Sequence, residues 1–387
     1  MHPDKESMRV ALLLGQIVEG LAVGITDTQA MTYASETIPT SLRGPAMALN
    51  PAFLFLGQLV GAAIMIATGD LPGEWSYRVA LASQWPLSLL IFVFAFVIPE
   101  SPAYLIRKGN YDKAHRSISR LFTPQANPNI IYRRMRLAIE QESVNKSDAS
   151  YKDCFIGVDL RRTMVVIVTN LYTGAAGLPL LSSASYFLRR LGMEEEPAFM
   201  VLLIGIAVAF LSNVVGLWLL PKFGRRQLIL IGFPIICVLW TAVGISGFWR
   251  TTPIATFTAV VFVAIAATIG LLIWPAGYAI GGEASSLRLR SKTQGVGGFA
   301  NNALTVILNL VLPYAYNDDQ GDLGGITALI YTFLTALMFV ATWFIIPELK
   351  GRDVKEIDDM FELKLPTRAF KKWDGNSTEL DSMARSS

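Results

Sequence analysis

Charge is scarce in this chain: 16% of its 387 residues are Asp, Glu, Lys or Arg. A soluble domain carries nearer a quarter, so an ordinary water-facing surface is excluded. Histidine and cysteine number two each. His2 and His115 have no cysteine or second histidine near them, so no metal site is expected. Cys154 falls in a charged stretch and Cys237 in a long apolar run, which excludes a disulfide framework. No Ser/His/Asp or Cys/His constellation gathers on one side of the apolar runs, so the chain does not read as an enzyme, and no cofactor is expected. The net charge of +3 leaves no nucleic-acid footprint.

What is abundant is apolar sequence, 52% of the residues with a mean hydropathy of +0.44. Nine runs approach or exceed the roughly 20 residues that cross a hydrocarbon core. They are Val10–Thr32, Ala46–Ala67, Val79–Ile98, Thr163–Phe187, Phe199–Leu220, Gln227–Phe248, Ile254–Ile280, Val296–Tyr314 and Ile326–Ile346. Backbone groups in lipid must be satisfied within the segment, and these lengths suit helices rather than barrel strands. The expected fold is an all-α, polytopic membrane protein. Short loops carrying Lys222, Arg225, Arg226, Arg288, Arg290 and Lys292 mark the cytoplasmic side. That places the carboxyl terminus in the cytoplasm and the amino terminus outside. Trp218, Trp240, Trp249, Trp274 and Trp343 are expected to face lipid or the interface.

The chain divides into a three-span segment (1–98), a charged central loop (99–162), a six-span segment (163–346) and a tail (347–387). Amphipathic helices are expected around 112–122 and 130–142 in the loop, and over 353–361 in the tail. The two apolar segments share their charged punctuation. Glu36 is followed seven residues later by Arg43, and Glu283 seven residues later by Arg290. Two apolar runs then lead to Pro99-Glu100 in one copy and Pro347-Glu348 in the other. This reads as an internal duplication, the plan on which many secondary transporters are built. Four runs separate the central loop from Glu283, but only one precedes Glu36, so the plan is 3 + 6 where duplication implies 6 + 6.

These motifs resemble those of sugar porters of the major facilitator superfamily. Gly15-Gln16, Gly20, Gly24 and Tyr33-Ala-Ser-Glu36, with Leu42-Arg43-Gly44, are similar to that family's fourth span and following loop. Pro99-Glu-Ser-Pro102 is similar to the segment after span six, and Phe223-Gly-Arg-Arg226 to the loop between spans eight and nine. Arg288-Leu-Arg290-Ser-Lys-Thr293 and Pro347-Glu-Leu-Lys-Gly-Arg352 fit the loop after span ten and the segment after span twelve. Gln84-Trp85-Pro86, Tyr186-Phe187, Leu312-Pro-Tyr314 and Arg368-Ala-Phe370 look most like the fungal α-glucoside (maltose-type) permeases.

The resemblance implies a proton-coupled sugar carrier, monomeric, embedded in the lipid of the plasma membrane. It implies a cytoplasmic gate made by Glu36, Arg43, Glu100, Arg225, Arg226, Glu283, Arg290 and Glu348, joined in one state and parted in another. The substrate positions depart from the hexose-carrier pattern. Its paired glutamines fall at Thr173 and Gly174, an asparagine at Pro179, the glutamine of span five at Pro51 and the tryptophan of span ten at Tyr278. Its asparagine in span eleven is retained as Asn301. Asn301, Tyr278 and Thr173 are the candidate sugar contacts, offering amide, aromatic and hydroxyl groups. The family's coupling acid belongs to a span this chain lacks, and its arginine partner falls at Gln16. Glu19 and Asp27 remain as acids inside a span, either a proton site or residues facing a void. The short first segment sets the expectation that this chain alone does not accumulate sugar against a gradient. A non-transporting sugar sensor and a decayed or incomplete gene product stay open as alternatives.

Overall fold

The computed structural model describes residues 5–38, 42, 46–47, 49–69, 71–122, 127–144, 150–249, 251–286, 288–316, 321, 323–352, 354–371 and 373. Arg43 and the residues after Trp373 lie outside these. Apolar runs that must close their own hydrogen bonds become helices, and no strand occurs among the described residues.

The amino-terminal group consists of α1 (Lys5–Thr37), α2 (Asn50–Gly69), α3 (Trp75–Ala82) and α4 (Gln84–Val97). Short helices α5 (Pro102–Arg107), α6 (Tyr111–Leu121) and α7 (Pro128–Val144) follow in the charged loop. The carboxyl-terminal group holds α8 (Gly157–Ala176), α9 (Leu178–Ser182), α10 (Ala184–Arg190), α11 (Glu195–Phe223), α12 (Arg225–Ser246), α13 (Thr252–Thr268), α14 (Trp274–Ala284), α15 (Arg290–Tyr316) and α16 (Ala328–Ile345). A π-helical bulge, Ile269–Ile273, joins α13 to α14, and α17 (Val354–Glu362) and a 3-10 turn (Ala369–Lys371) follow in the tail.

By length and composition, eight helices among the described residues are long and apolar enough to cross a membrane. The predicted fourth span, Thr163–Phe187, is not one of them: it is broken into α8, α9 and α10. The break has a local cause. Gly177 adopts φ +108°, and a Cβ there would stand 2.2 Å from the Trp240 indole. Trp240 in turn donates to the Ala176 carbonyl at 2.9 Å, holding the helix end open for the turn. Two of the tryptophans expected at the lipid boundary are therefore interior. Trp240 is 0% exposed and stacks on Tyr331 with ring centres 4.9 Å apart; Trp274 is also buried. Each fills space between helices, whereas Trp218, Trp249 and Trp343 are exposed as expected.

The bulge between α13 and α14 frees backbone groups from the helical ladder. Asn213 of α11, fully buried, donates to one of them, the Gly270 carbonyl, at 3.3 Å. Where the two groups meet, Phe55 of α2 sets its ring edge against Trp274 at 4.5 Å. In the loop, Leu105, Ile106 and Ala114 form a small core with Tyr132, Met135 and Ile139, which ties α5, α6 and α7 together.

Candidate functional site

Three groups of polar residues stand out, each built by helix ends or by helix faces that meet. The first lies at the start of α12. A helix amino terminus exposes amide hydrogens and attracts negative charge. Glu348 supplies it, accepting the N–H of Arg225 at 3.1 Å and of Arg226 at 3.0 Å. Gly224, at φ +86°, makes the approach possible: a Cβ there would lie 2.7 Å from the Glu348 carboxylate. Arg225 then turns its guanidinium to Glu283 at 2.9 Å, with both side chains mostly buried, at 11% and 15% exposed. Arg226 donates to the Trp343 carbonyl at 2.9 Å. Four of the predicted gate residues thus form one cluster. Arg290 is buried beside it in sequence, donating to the Ser285 hydroxyl and carbonyl, each at 3.4 Å.

The amino-terminal copy is arranged differently. Glu36 accepts from the Ser101 hydroxyl and from Arg107 at 2.9 Å. Ser101 also caps α5 through its oxygen. Glu100 contributes its backbone carbonyl to Ser117, while its side chain is exposed. Neither Ser101 nor Arg107 was singled out as a gate residue by the sequence reading, although Ser101 sits inside the Pro-Glu-Ser-Pro motif.

A clamp that the sequence did not announce joins the base of α8 to the tail. Arg162 pairs with Asp358 and donates to its carbonyl at 3.2 Å. Arg161 donates to the Leu365 carbonyl at 2.6 Å and lies over the rings of Phe361 and Phe370, at 5.5 and 5.3 Å.

The second group is the pair expected to meet substrate. Thr173 donates its hydroxyl to the Asn301 side-chain oxygen at 3.0 Å, joining α8 to α15. Asn170, one turn before Thr173, donates to the Val166 carbonyl at 2.9 Å and faces Gly297 of α15. The sequence reading missed Asn170; its signal was the three-residue spacing from Thr173, which puts both on one helix face. The third group holds Tyr278 of α14 and the acids of α1. The Tyr278 ring lies 6.3 Å from Trp274. Asn50 of α2 donates to Asp27 at 3.1 Å. Glu19 is exposed on α1.

Residues 3–361 match the family described as "Sugar (and other) transporter". The chain belongs to that family, within the major facilitator superfamily. It is a family of integral, multi-pass membrane transporters rather than enzymes. An MFS transporter of Aspergillus fumigatus, fmqE, is 30% identical over 94% of this chain and 69% of its own length. The general alpha-glucoside permease of Saccharomyces cerevisiae is 27% identical over 93% of this chain, and the maltose permease MAL61 of the same yeast 27% over 96%. This chain spans 60% and 61% of the lengths of those two permeases. The proton:xylose symporter XylE, bound to 6-bromo-6-deoxy-D-glucose, superposes with a TM-score of 0.71 at 18% identity, covering 89% of this chain and 73% of that one. That likeness establishes the fold.

Proposed function

We propose that this protein recognises an α-glucoside and takes part in carrying it across the plasma membrane, coupled to protons. The observation that carries the reading is the joined pair Thr173–Asn301, with the Tyr278 ring near Trp274 on α14 and Asp27 accepting from Asn50. Hydroxyl, amide, aromatic ring and carboxylate are the groups that bind a polyhydroxylated ring with one apolar face. The α-glucoside and maltose permeases among its relatives support that substrate class. Asp27 serves as the proton site in preference to Glu19, because among the described residues it has a hydrogen-bonding partner on a second helix, Asn50 of α2. The Arg225–Glu283–Glu348 cluster supports a gate whose bonds form in only one of two states. The protein acts as a monomer of two related helical groups, with its carboxyl terminus in the cytoplasm.

The test begins with binding. Purified chain in lipid nanodiscs is titrated with maltose, and Asn301→Ala is expected to weaken binding about tenfold, the loss of one or two hydrogen bonds. Absence of maltose binding by the unaltered chain overturns the proposal. Labelled maltose uptake is then followed in cells lacking their own α-glucoside carriers, across an imposed pH gradient. Uphill uptake that a protonophore abolishes and Asp27→Asn removes supports coupling. Binding without any uptake confines this chain to recognition and favours the sensor reading.

A further inference from the structure

Trp343, in the last turn of α16, carries two positive groups on one ring. The Arg226 guanidinium lies 5.8 Å from the ring centre and that of Arg368 5.1 Å. Both are held in place. Arg226 is tied down by its bond to the Trp343 carbonyl. The segment carrying Arg368 is fixed by Thr367, which donates to the Phe344 carbonyl at 2.9 Å and accepts from Arg161 at 3.1 Å.

Like charges repel, so two guanidinium groups set against one ring call for a counter-ion. Among the described residues no carboxylate lies within ion-pair distance of either. The nearby acids are engaged elsewhere. Glu348 accepts the backbone amides of Arg225 and Arg226, Asp358 pairs with Arg162, and Glu356 with Arg352 at 3.7 Å.

More cations and aromatic rings stand at the same end of the bundle. Lys350 donates to the Lys222 carbonyl at 2.8 Å, and the Lys222 ammonium stands over the Trp218 ring. Trp218, Trp343 and Phe344 are 62%, 41% and 66% exposed, near the ends of helices long and apolar enough to cross a membrane. Exposed aromatic rings at that depth sit at the level of lipid headgroups. The end proposed to be cytoplasmic faces the leaflet that carries anionic lipid.

We infer that Arg226 and Arg368, with Lys222 and Lys350, bind the headgroup of an anionic phospholipid. Planar guanidinium forks match phosphate oxygens. The exposed rings beside them supply the apolar neighbour that a lipid needs and a free phosphate does not. An occupied site ties the start of α12 to the tail. The inference is independent of which sugar, if any, the protein binds.

The test is native mass spectrometry of the detergent-purified chain titrated with dioctanoyl phosphatidic acid, phosphatidylserine and phosphatidylcholine. One tightly held copy of each anionic lipid is expected, at least about tenfold tighter than phosphatidylcholine, less than four basic groups near a headgroup could supply. Arg368→Ala and Lys222→Ala, both at exposed side chains, are each expected to weaken that copy about fivefold, the share of one basic group, at unchanged Tm. Arg120→Ala, at an exposed cation of α6, is expected to leave the affinity unchanged. Equal retention of phosphatidylcholine overturns the inference. A loss in Arg120→Ala as large as that in Arg368→Ala reduces the binding to diffuse charge attraction and overturns the site. If millimolar inorganic phosphate removes the lipid, the cluster is a free-anion site and the lipid assignment falls. A lowered Tm in both cluster variants with lipid retention unchanged confines these cations to folding and overturns it as well.

Discussion

Glu100 and Glu348 follow the same Pro at the same place in the repeat, yet their surroundings differ. Glu348 is folded under the amino terminus of α12 and accepts two backbone amides there. The Glu100 side chain is exposed. Their companions differ through the arginine. Glu283 and Glu36 are both mostly buried, at 15% and 17% exposed, but Arg225 is 11% exposed and Arg107 43%. A repeated motif therefore fixes the position of a charge, and the energetic weight of that charge depends on the helix end it meets. Desolvation of the arginine separates the copies, since a pair with one solvent-screened end contributes less than a pair buried at both ends, which is costly to break.

Removing Arg225 gives the largest expected effect. Arg225→Ala leaves Glu283 mostly buried without that partner, at a cost of about 3 kcal/mol, read as a large fall in Tm in detergent. Arg107→Ala at the other copy is expected to cost under about 1 kcal/mol. Equal falls in the two variants would remove the distinction between the copies. Next comes Gly224→Ala, which forces a side chain into a left-handed position and against Glu348; about 2 kcal/mol is expected. Glu348→Ala deletes the cap on α12 for about 1 kcal/mol. The smallest effect is Glu100→Ala, expected within about 0.5 kcal/mol on the same thermal measurement. A Glu100→Ala loss as large as that of Glu348→Ala would show that the first copy also buries its carboxylate.

Local signals were legible in the sequence and distant ones were not. Of the nine apolar runs, eight became helices among the described residues that are long and apolar enough to cross a membrane, and helical spacing located α6, α7 and α17 within two residues or so. The charged positions were readable because residue type and spacing repeat. The break at Gly177 was not, since the apolar run continues through it and the cause, Trp240, sits on another helix. Burial of Trp240 and Trp274 was misread for a related reason: a tryptophan in an apolar run looks the same whether lipid or protein surrounds it. Glu348 was marked as a gate residue, but its partners are backbone amides, which no residue type announces. At the candidate sugar site, Thr173 and Asn301 were chosen by alignment to a family pattern; their direct hydrogen bond required the packing of α8 on α15.

The clamp between α8 and the tail bears on how the protein is made. Arg161 and Arg162 bind residues that are 204 and 196 positions later in the chain. Every helix from α9 to α16 is synthesised between those partners. The base of α8 therefore waits, with its two guanidinium groups uncommitted to the tail, until Asp358 and Leu365 have been synthesised. Contacts of such long sequence separation are slow to form and come late. Assembly of the carboxyl-terminal group is thus completed only once residues 358–365 have been made, and a chain stopped before Asp358 would have its bundle inserted but unfastened.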